Sequence, residues 1–332
     1  MYDLITVGSA TEDVFVFVEQ ARLVRLEDKD AETAYLALPH GSKIPVDHLH
    51  VMTGGGATNV AVAAATMGLK TAALCMVGKD ESGRRVVAEL TERGVDTALV
   101  HYSDTFRTGY SVLLSDYTGE RTILVHRGAT NHLALTEGDR ELLAQTQWLY
   151  VGSLRGPAAH LFFELAAFVA EVGVKFAVNP GSAQLALGID GLKPVLEQTD
   201  VLFINKTEAY ELTGVEPERS RADEQRMLEM LHEAGCKTVV ITAGSEGADA
   251  YDGESFYSMP AYKVKVASTV GAGDSFAAGC LAALHRGLSL PEAIQIGAAN
   301  AAGVVSKIGA KEGLLTWEEA VARATSFGAT SG

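Results

Sequence analysis

Short apolar runs rich in β-branched residues alternate with segments of helical periodicity along most of the chain. The runs include LITVG, TAALCMVG, QWLYVGS and KTVVITAG, and the segments between them include ATNVAVAAATMGL and PAAHLFFELAAFVAEVG. Apolar strands that alternate with helices are typical of a parallel sheet covered on both faces. The pattern therefore predicts a layered α/β domain.

The predicted strands end in small or polar residues, which read Gly8-Ser9, Gly152-Ser153, Asn205 and Thr242-Ala243-Gly244. In a layered α/β domain, ligands bind outside the carboxyl ends of the strands. A rim of small and polar residues is what a ligand there requires. We therefore predict that the functional site lies on this rim.

Two segments break the alternation and predict paired antiparallel strands. They are DVFVFVEQ with KIPVDHLHVM, and TGYSVLLSDYTGERTILVHRGA, in which DYTGER forms a hairpin turn. A small sheet inserted into a parallel α/β domain often acts as a lid over the site. We place the lid strands at about 13–51 and 108–127. Residues 19–42 are charged and irregular, which predicts an extended loop or a lid extension.

Composition narrows the class of protein. The chain has 332 residues, 47% of them hydrophobic, and a net charge of −15. The apolar content suffices for one large core or two domains, and the acidic balance disfavours a nucleic-acid partner. Three widely spaced cysteines favour a reducing compartment. The N-terminus enters a strand at once and no apolar run reaches about 18 residues, so we expect a cytoplasmic protein without a membrane partner.

The segment STVGAGDSFAAGCLAALHRG joins a glycine turn to a small-residue helix. Helical spacing begins after Gly273, so the amides of Ala272, Gly273 and Asp274 lie at a helix N-terminus and form a natural anion site. Glycines at 271 and 273 let a phosphate approach the backbone. Asp274 could accept the proton of an attacking hydroxyl while the amides hold the transferred phosphoryl group. Alternatively, Asp274 only favours the positive end of the helix dipole.

Two other nucleotide-binding turns fit the sequence poorly. A dinucleotide turn has the pattern G-x-G-x-x-G directly after the first strand, whereas this turn comes late and position 276 is Phe. The Walker pattern G-x-x-x-x-G-K-[ST] does not occur in the sequence. A nicotinamide-dependent oxidoreductase is therefore disfavoured.

The segment NKTE follows the predicted strand DVLFI and opens a helix. Asn205 and Glu208 both face the first turn, where a carboxylate can hold a hydrated Mg²⁺ that bridges nucleotide phosphates. The same pair also fits a capping box, in which the two side chains satisfy helix amides. Both interpretations stay open.

Four further segments suggest small-molecule contacts. In TGGGATN the consecutive glycines permit close approach to a ligand, and Asn59 offers a donor and an acceptor. Asp13 ends the segment VGSATED at the start of a predicted lid strand, where its carboxylate could accept hydrogen bonds from two sugar hydroxyls or simply be solvated. The strand exit at Thr242, Gly244 and Gly247 could cup a nucleotide. The helix that carries Asn300 has a small-residue face, which is also typical of tight helix packing.

The order of these motifs along the chain resembles the ribokinase-like (PfkB) carbohydrate kinase family. GGGATN comes early, NKTE follows past the middle, and TAGSEG, GAGD and the helix with Asn300 complete the series. The resemblance covers essentially the whole chain. It implies a single domain over residues 1–332, with a three-layer α/β/α fold, a mostly parallel central sheet and a small β-sheet lid.

The resemblance also implies roles at matching positions. Asp274 would be the general base, and the anion hole would be shaped by Gly271, Ala272 and Gly273. Glu208 would serve Mg²⁺ through water. The acceptor would be held by Asp13, Gly55, Gly56 and Asn59. The nucleotide would be bound by Asn205, Thr242, Gly244, Gly247 and Asn300.

Three departures from the family pattern bear on specificity. Ser268 stands where many members have the Asp of a monovalent-cation site, so we expect little dependence on K⁺. STVGAGDS is similar to the branch of minor phosphofructokinases and tagatose-phosphate kinases, yet Gly56 replaces the Lys usual in that branch. A phosphorylated acceptor would then need other cations, and the predicted lid offers Arg107, Arg121 and Arg127. YVGSLRG lacks the Glu that ribokinases carry near this strand exit, which weakens ribose as the substrate.

The leading hypothesis is an ATP-dependent kinase that transfers the γ-phosphoryl group to a hydroxyl of a sugar or nucleoside. One alternative is a sugar-phosphate kinase of the minor phosphofructokinase or tagatose-phosphate type. Another is a non-catalytic sensor that binds a sugar or nucleotide. Related proteins often pair through their lids, so a homodimer through the lid is a candidate assembly.

Overall fold

The computed structural model describes residues 1–18, 21–28, 31–46, 48–115, 121–216 and 221–330. The strands in these ranges are β1 (Tyr2–Val7), β2 (Thr11–Phe17), β3 (Arg22–Asp28), β4 (Ala31–Ala37), β5 (His48–Gly54), β6 (Thr71–Gly78), β7 (Val100–Ser103), β8 (Gly109–Ser115), β9 (Arg121–His126), β10 (Thr146–Val151), β11 (Lys175–Val178), β12 (Val201–Asn205), β13 (Thr238–Thr242), β14 (Ala248–Tyr251) and β15 (Phe256–Met259).

The α-helices in the same ranges are α1 (Gly56–Thr66), α2 (Glu81–Glu92), α3 (Glu137–Leu143), α4 (Leu161–Val172), α5 (Ser182–Leu185), α6 (Gly188–Leu196), α7 (Lys206–Thr213), α8 (Arg221–Glu233), α9 (Ala272–His285), α10 (Leu290–Val305) and α11 (Trp317–Thr330). Short 3-10 helices span Gly128–His132, Gly156–His160 and Gly244–Glu246. Among the helices so described, none is long and apolar enough to cross a membrane.

The central sheet has nine strands in the order β15-β14-β13-β12-β11-β10-β1-β6-β7. The strands from β13 through β7 pair in parallel, whereas β14 and β15 pair antiparallel at one edge. The prediction of a mostly parallel sheet is therefore confirmed.

Helices cover both faces of this sheet, and the alternation of side chains along a strand explains how. In β10, Leu149 packs into one apolar core with Phe162 of α4 and Phe176 of β11. Its neighbour Tyr150 packs into the opposite core with Phe276 of α9. Because both faces are buried, the strands have the continuous apolar sequences that identify them.

A second sheet of four strands has the order β5-β2-β8-β9. Its strands β2 and β8 are parallel, and β5 and β9 flank them antiparallel. The predicted hairpin turn DYTGER falls largely on residues 116–120, which lie outside the described residues. The small sheet also exposes apolar side chains, namely Leu49, Val51, Ile123, Leu124 and Val125. Exposed apolar surface can mark an interaction site, and a homodimer through this sheet stays a prediction.

The prediction of an irregular loop within residues 19–42 was wrong for residues 22–28 and 31–37. These residues form β3 and β4, which pair antiparallel along their full length, from Arg22 opposite Ala37 to Asp28 opposite Ala31. Each strand satisfies the backbone hydrogen bonds of the other, so the pair needs little apolar burial to be regular. The side chains of Val24, Leu26 and Tyr35 on these strands are exposed, so no buried apolar face marks the strands in the sequence.

Candidate active site

The GGGATN segment, called the acceptor motif after its predicted role, lies where β1 ends, at the carboxyl edge of the central sheet. The amide of Gly56 donates to Ser9 Oγ at 2.9 Å, and Thr6 Oγ1 donates to the carbonyl of Ala57 at 2.8 Å. These bonds hold the start of α1 against the end of β1. The predicted rim is thus the place where this motif sits.

The glycines of this motif are required by close contacts. Gly55 has φ 101°, and a Cβ there would collide with the backbone of Ser9. A Cβ on Gly54 would collide with the carboxylate of Asp13. The chain therefore approaches Asp13 more closely than any larger residue would allow.

Asp13 lies on β2 with its carboxylate buried. Thr11 Oγ1 donates to its Oδ1 at 3.0 Å. Burial raises the pKa of Asp13, while hydrogen bonds from Ser111 and Thr11 and the charge of Lys311 oppose that rise. A buried carboxylate with lone pairs to spare is a suitable acceptor for sugar hydroxyls.

Asn59 joins the acceptor motif to the GAGD turn. Its Nδ2 donates to Asp274 Oδ2 at 2.8 Å, across 215 positions of the sequence. Its Oδ1 is buried and has no hydrogen-bond partner among the described residues. A buried acceptor without a partner is costly, and a hydroxyl of a bound ligand would satisfy it.

The GAGD turn has the geometry of an anion cradle. Gly271 is the N-cap of α9 with φ 78°, and a Cβ there would lie 2.6 Å from Cα of Ala310. Gly273 faces open space, where a Cβ would have no neighbour within 4 Å. The amides of the first turn of a helix have no partner inside the helix, so those of Gly273 and Asp274 can serve an anion.

The charged groups of the site influence one another. Burial raises the pKa of Asp274, and the charge of Asp13 adds to this, whereas the bond from Asn59 and the charge of Lys311 lower it. Burial also raises the pKa of Glu208, with a smaller contribution from the charge of Asp274. The carboxyl groups of Asp13 and Glu208 therefore both interact electrostatically with that of Asp274.

Asn205 and Glu208 form the capping box that their spacing allowed. The amide of Glu208 donates to Asn205 Oδ1 and the amide of Asn205 donates to Glu208 Oε2, both at 2.9 Å. No cluster of three or more metal-binding side chains occurs within the described ranges. A Mg²⁺ beside Glu208 would thus take most of its ligands from water and phosphate, which suits the chemistry of that ion. The metal and nucleotide roles of this pair stay predictions.

The predicted nucleotide residues differ in how open they are. Thr242 pairs with Asn205 across β12 and β13, and Gly244 has φ 56° with open space around it. A Cβ on Gly247 would collide with the carbonyl of Met259, so packing alone accounts for that glycine. The contacts of these residues with a nucleotide stay predictions.

Asn300 is fully buried, and the backbone uses both ends of its amide. Its Nδ2 donates to the carbonyl of Ser275 at 2.8 Å, and its Oδ1 accepts from the amide of Leu315 at 3.0 Å. These bonds tie α10 to α9 behind the GAGD turn. The geometry favours a structural role, and the nucleotide contact stays a prediction.

Lys311 lies beside the candidate site, and no sequence motif indicates it. Its side chain is 3% exposed, and Nζ donates to Thr53 Oγ1 at 2.6 Å and to Glu89 Oε2 at 3.0 Å. Burial lowers its pKa, and the charges of Glu89 and Asp13 oppose this. In the sequence it is one lysine in a glycine-containing loop, which resembles any solvated lysine.

A mostly parallel sheet under a small second sheet, with the GGGATN and GAGD turns meeting at one edge, defines a ribokinase-like protein. The pattern of the pfkB family of carbohydrate kinases matches residues 23–317, and the chain belongs to that family.

Individual relatives agree with this assignment. Ribokinase of Haemophilus influenzae is 31% identical over 285 residues, which are 84% of this chain and 89% of that protein. An ATP-dependent ribose-1-phosphate kinase of Halopiger xanaduensis is 29% identical over 254 residues, 76% of this chain and 79% of that protein. The structure of Arabidopsis thaliana ribokinase complexed with ribose and ATP superposes with a TM-score of 0.82 at 22% identity, covering 97% of this chain and 98% of that one. The predicted fold is confirmed.

Proposed function

We propose that the protein is an ATP-dependent kinase that transfers the γ-phosphoryl group to a hydroxyl of a sugar or nucleoside. The observation that carries the proposal is the bond of 2.8 Å from Asn59 to Asp274. It places the acceptor motif and the anion cradle around one carboxylate. Family membership, one relative that is named as an ATP-dependent kinase and a ribokinase structure complexed with ATP support the phosphoryl donor.

Asp274 acts as the general base in this proposal. The acceptor hydroxyl gives its proton to Asp274 while its oxygen bonds to the γ-phosphorus, and the bond from that phosphorus to the β,γ-bridging oxygen breaks to release ADP. The amides of Gly273 and Asp274 face the charge on the transferred group. Asn59 orients the base through Nδ2 and offers Oδ1 to a second acceptor hydroxyl.

The remaining residues bind and position the two substrates. Asp13 and the backbone around Gly55 and Gly56 hold the acceptor. The nucleotide side is formed by Asn205, Thr242, Gly244, Gly247 and Asn300. The backbone already uses both ends of the Asn300 amide. Mg²⁺ beside Glu208 would neutralise the phosphates when bound.

We also propose that residues 1–332 form one kinase domain and that the four-stranded sheet is its lid. Asp13 sits on a strand of this sheet, so lid position and acceptor binding are linked. Arg121, on β9, donates to Thr269 Oγ1 at 2.7 Å and brings the sheet into contact with the segment that leads to the GAGD turn. Closure would exclude water from the transfer.

A specific observation favours the sugar-phosphate alternative as a second candidate. One relative that covers 76% of the chain is named for a phosphorylated acceptor, ribose-1-phosphate. The chain also offers Arg127, directly after β9 of the small sheet, which could pair with such a group.

The test is a phosphorylation screen with ATP and Mg²⁺ over free sugars, sugar phosphates and nucleosides, read by ADP release and by mass of the product. We expect the compounds of one acceptor class to gain about 80 Da, which is the mass added by the transfer of one phosphoryl group to one hydroxyl. The variant Asp104→Asn serves as a control that keeps full activity, since this side chain is 78% exposed and pairs only with the exposed Lys79 among the described residues. ATP binding without transfer to any acceptor would favour the non-catalytic sensor instead.

A further inference from the structure

Two arginines are brought together beside the acceptor motif. Arg127 directly precedes the 3-10 helix Gly128–His132, and Arg155 directly precedes the 3-10 helix Gly156–His160. The two short helices pack together, because a Cβ on Gly156 would lie 3.2 Å from the side chain of Asn131. Burial lowers the pKa of Arg127, and the positive charge of Arg155 adds to this.

No carboxylate in the described part of the chain pairs with either guanidinium. Nε of Arg155 is buried without a hydrogen-bond partner there. Other arginines do have carboxylate partners: the partly buried Arg140 pairs with Glu164, and the exposed Arg85 pairs with Glu12 at 2.9 Å. Two neighbouring cations with an orphaned donor are unfavourable in the free protein, and an anion between them would relieve both costs.

The pair lies at the acceptor side of the site. The amide of Ala10 donates to Thr130 Oγ1 at 3.4 Å, and that hydroxyl donates back to the carbonyl of Ala10 at 3.3 Å, which fixes the first short helix next to Ser9. Arg155 follows β10, and the amide of Gly152 at the end of that strand donates to the carbonyl of Val7 at 2.9 Å. Both arginines therefore emerge beside the end of β1.

The nucleotide side is farther away. Thr242 ends β13, which is three strands from β10 in the sheet order. At the usual strand spacing this is about 14 Å. An anion held by the arginine pair is therefore more readily part of the acceptor than a phosphate of the nucleotide.

The other arginines that the sequence offered are less suited to the acceptor. The side chain of Arg107 is 84% exposed and lies 3.9 Å from Asp80. Arg121 already donates to Thr269. Of the three, only Arg127 is joined by a second guanidinium.

We propose that Arg127 and Arg155 form a subsite for an anionic group of the acceptor, a phosphate or a carboxylate, at a distance from the hydroxyl that is phosphorylated. This inference rests on the proposed kinase function and narrows its acceptor class. Guanidinium groups bind both oxyanions through paired hydrogen bonds, and the orphaned Nε of Arg155 adds one more donor. A neutral sugar would leave both charges uncompensated.

The test compares three acceptor sets of one carbon skeleton, namely a neutral sugar, its sugar phosphates and the corresponding sugar acid. It uses the full chain and the variants Arg127→Met, Arg155→Met and Arg155→Lys, with Arg107→Met as the matched control. We expect the wild type to prefer one anionic set in kcat/KM. Each Met variant should lose about 10- to 100-fold on that set alone, as expected for a charged hydrogen-bonded pair. The Lys variant should lose less, and Arg107→Met should match the wild type.

The outcomes separate this inference from the proposed function. A wild type that phosphorylates the neutral sugar as well as both anionic sets overturns the anion subsite and leaves the kinase function standing. A wild type that phosphorylates none of them, nor any compound in the wider screen, overturns the kinase function. If the Met variants do not fold, competition decides: inorganic phosphate and acetate should inhibit the wild type competitively with the acceptor, and inhibition by neither contradicts the subsite. Whichever anionic set shows the selective loss identifies phosphate or carboxylate as the group bound.

Discussion

Replacing Lys311 with Met removes a buried positive charge behind the active site while keeping most of the aliphatic stem. The substitution removes the hydrogen bonds from the ammonium to Thr53 Oγ1 at 2.6 Å and to Glu89 Oε2 at 3.0 Å. It also removes the charge that lowers the pKa values of the Asp13 and Asp274 carboxylates. The substitution should therefore affect both stability and the pH dependence of turnover.

The loss of stability should be moderate. Breaking a fully buried ion pair costs about 3–5 kcal/mol. Here the Glu89 side chain is 23% exposed, and a cavity of about 290 Å³ beside it admits water. Glu89 can therefore regain hydration, and we expect a cost of about 1–2 kcal/mol. For a chain of 332 residues this corresponds to a melting temperature lower by roughly 1.5–3 °C.

The pH effect has a defined sign. Asp274 must be ionised to act as a base, and burial raises its pKa, so turnover should fall as the pH drops through a value above the usual ~3.9 of Asp. Removing the positive charge raises the pKa of Asp274 further, so the acidic limb should move to higher pH.

The groups that act with Lys311 on this limb come from several elements. The acidic groups are those of Glu12, Asp13, Glu89 and Asp274. The basic groups are Arg93, which is the C-cap of α2, and Arg85, which pairs with Glu12. The thiol of Cys75 also interacts with Lys311. Replacing Glu89 with Gln removes a negative charge from the group, so its acidic limb should move to lower pH. Opposite shifts for the two variants would identify the ammonium as their common cause.

The assay is the pH profile of kcat/KM with saturating ATP, combined with thermal unfolding. Lys307→Met is the matched control, because this exposed lysine lies on the same loop and carries the same charge. Lys311→Arg should keep the acidic limb near that of the wild type. An unchanged acidic limb in a folded Lys311→Met variant would refute the electrostatic argument.

Three further predictions concern the two turns and the cation. Gly271→Ala should lose activity and at least about 1–2 kcal/mol of stability, because a φ of 78° disfavours a side chain and Ala310 occupies the space where it would lie. Equilibrium unfolding and activity assays of this variant measure the two losses. Asn59→Ala should raise the KM for the acceptor and lower kcat with little change in ATP binding, since it removes the donor to Asp274; an equal loss of ATP affinity would argue against an acceptor role. Replacing Na⁺ with K⁺ should change the rate less than about twofold, because the hydroxyl of Ser268 accepts from the amide of Val270 and the residue offers no carboxylate, and a large activation by K⁺ would contradict this.

Local patterns in the sequence predicted much of the fold because each depends on near neighbours. The central strands were recognisable because both faces are buried, and the capping box of Asn205 and Glu208 depends on a spacing of three residues. The ribbon of β3 and β4 was missed, since its regularity comes from mutual backbone pairing and not from an apolar face.

The sequence identified the turns of the candidate active site but did not indicate how they are positioned relative to one another. The hydrogen bond between Asn59 and Asp274 spans 215 positions of the sequence, and neither motif by itself predicts that the two side chains are in contact. Lys311 and Arg155 have no motif of their own and gain meaning only from burial and from their neighbours. For Asn300 the sequence left ligand contact and helix packing open; in the structure the backbone takes both ends of its amide, and the nucleotide contact stays a prediction.

The most direct test of the proposed function is the turnover of Asp274→Asn together with its nucleotide affinity. The substitution keeps the size of the side chain and removes the base, so the rate should fall by about 10²–10⁴-fold while the affinity for ATP changes little. The variant should be measured under the conditions that give the wild type full turnover, with Asp104→Asn as the matched control. A folded Asp274→Asn protein that turns over at nearly the rate of the wild type would contradict the proposed mechanism.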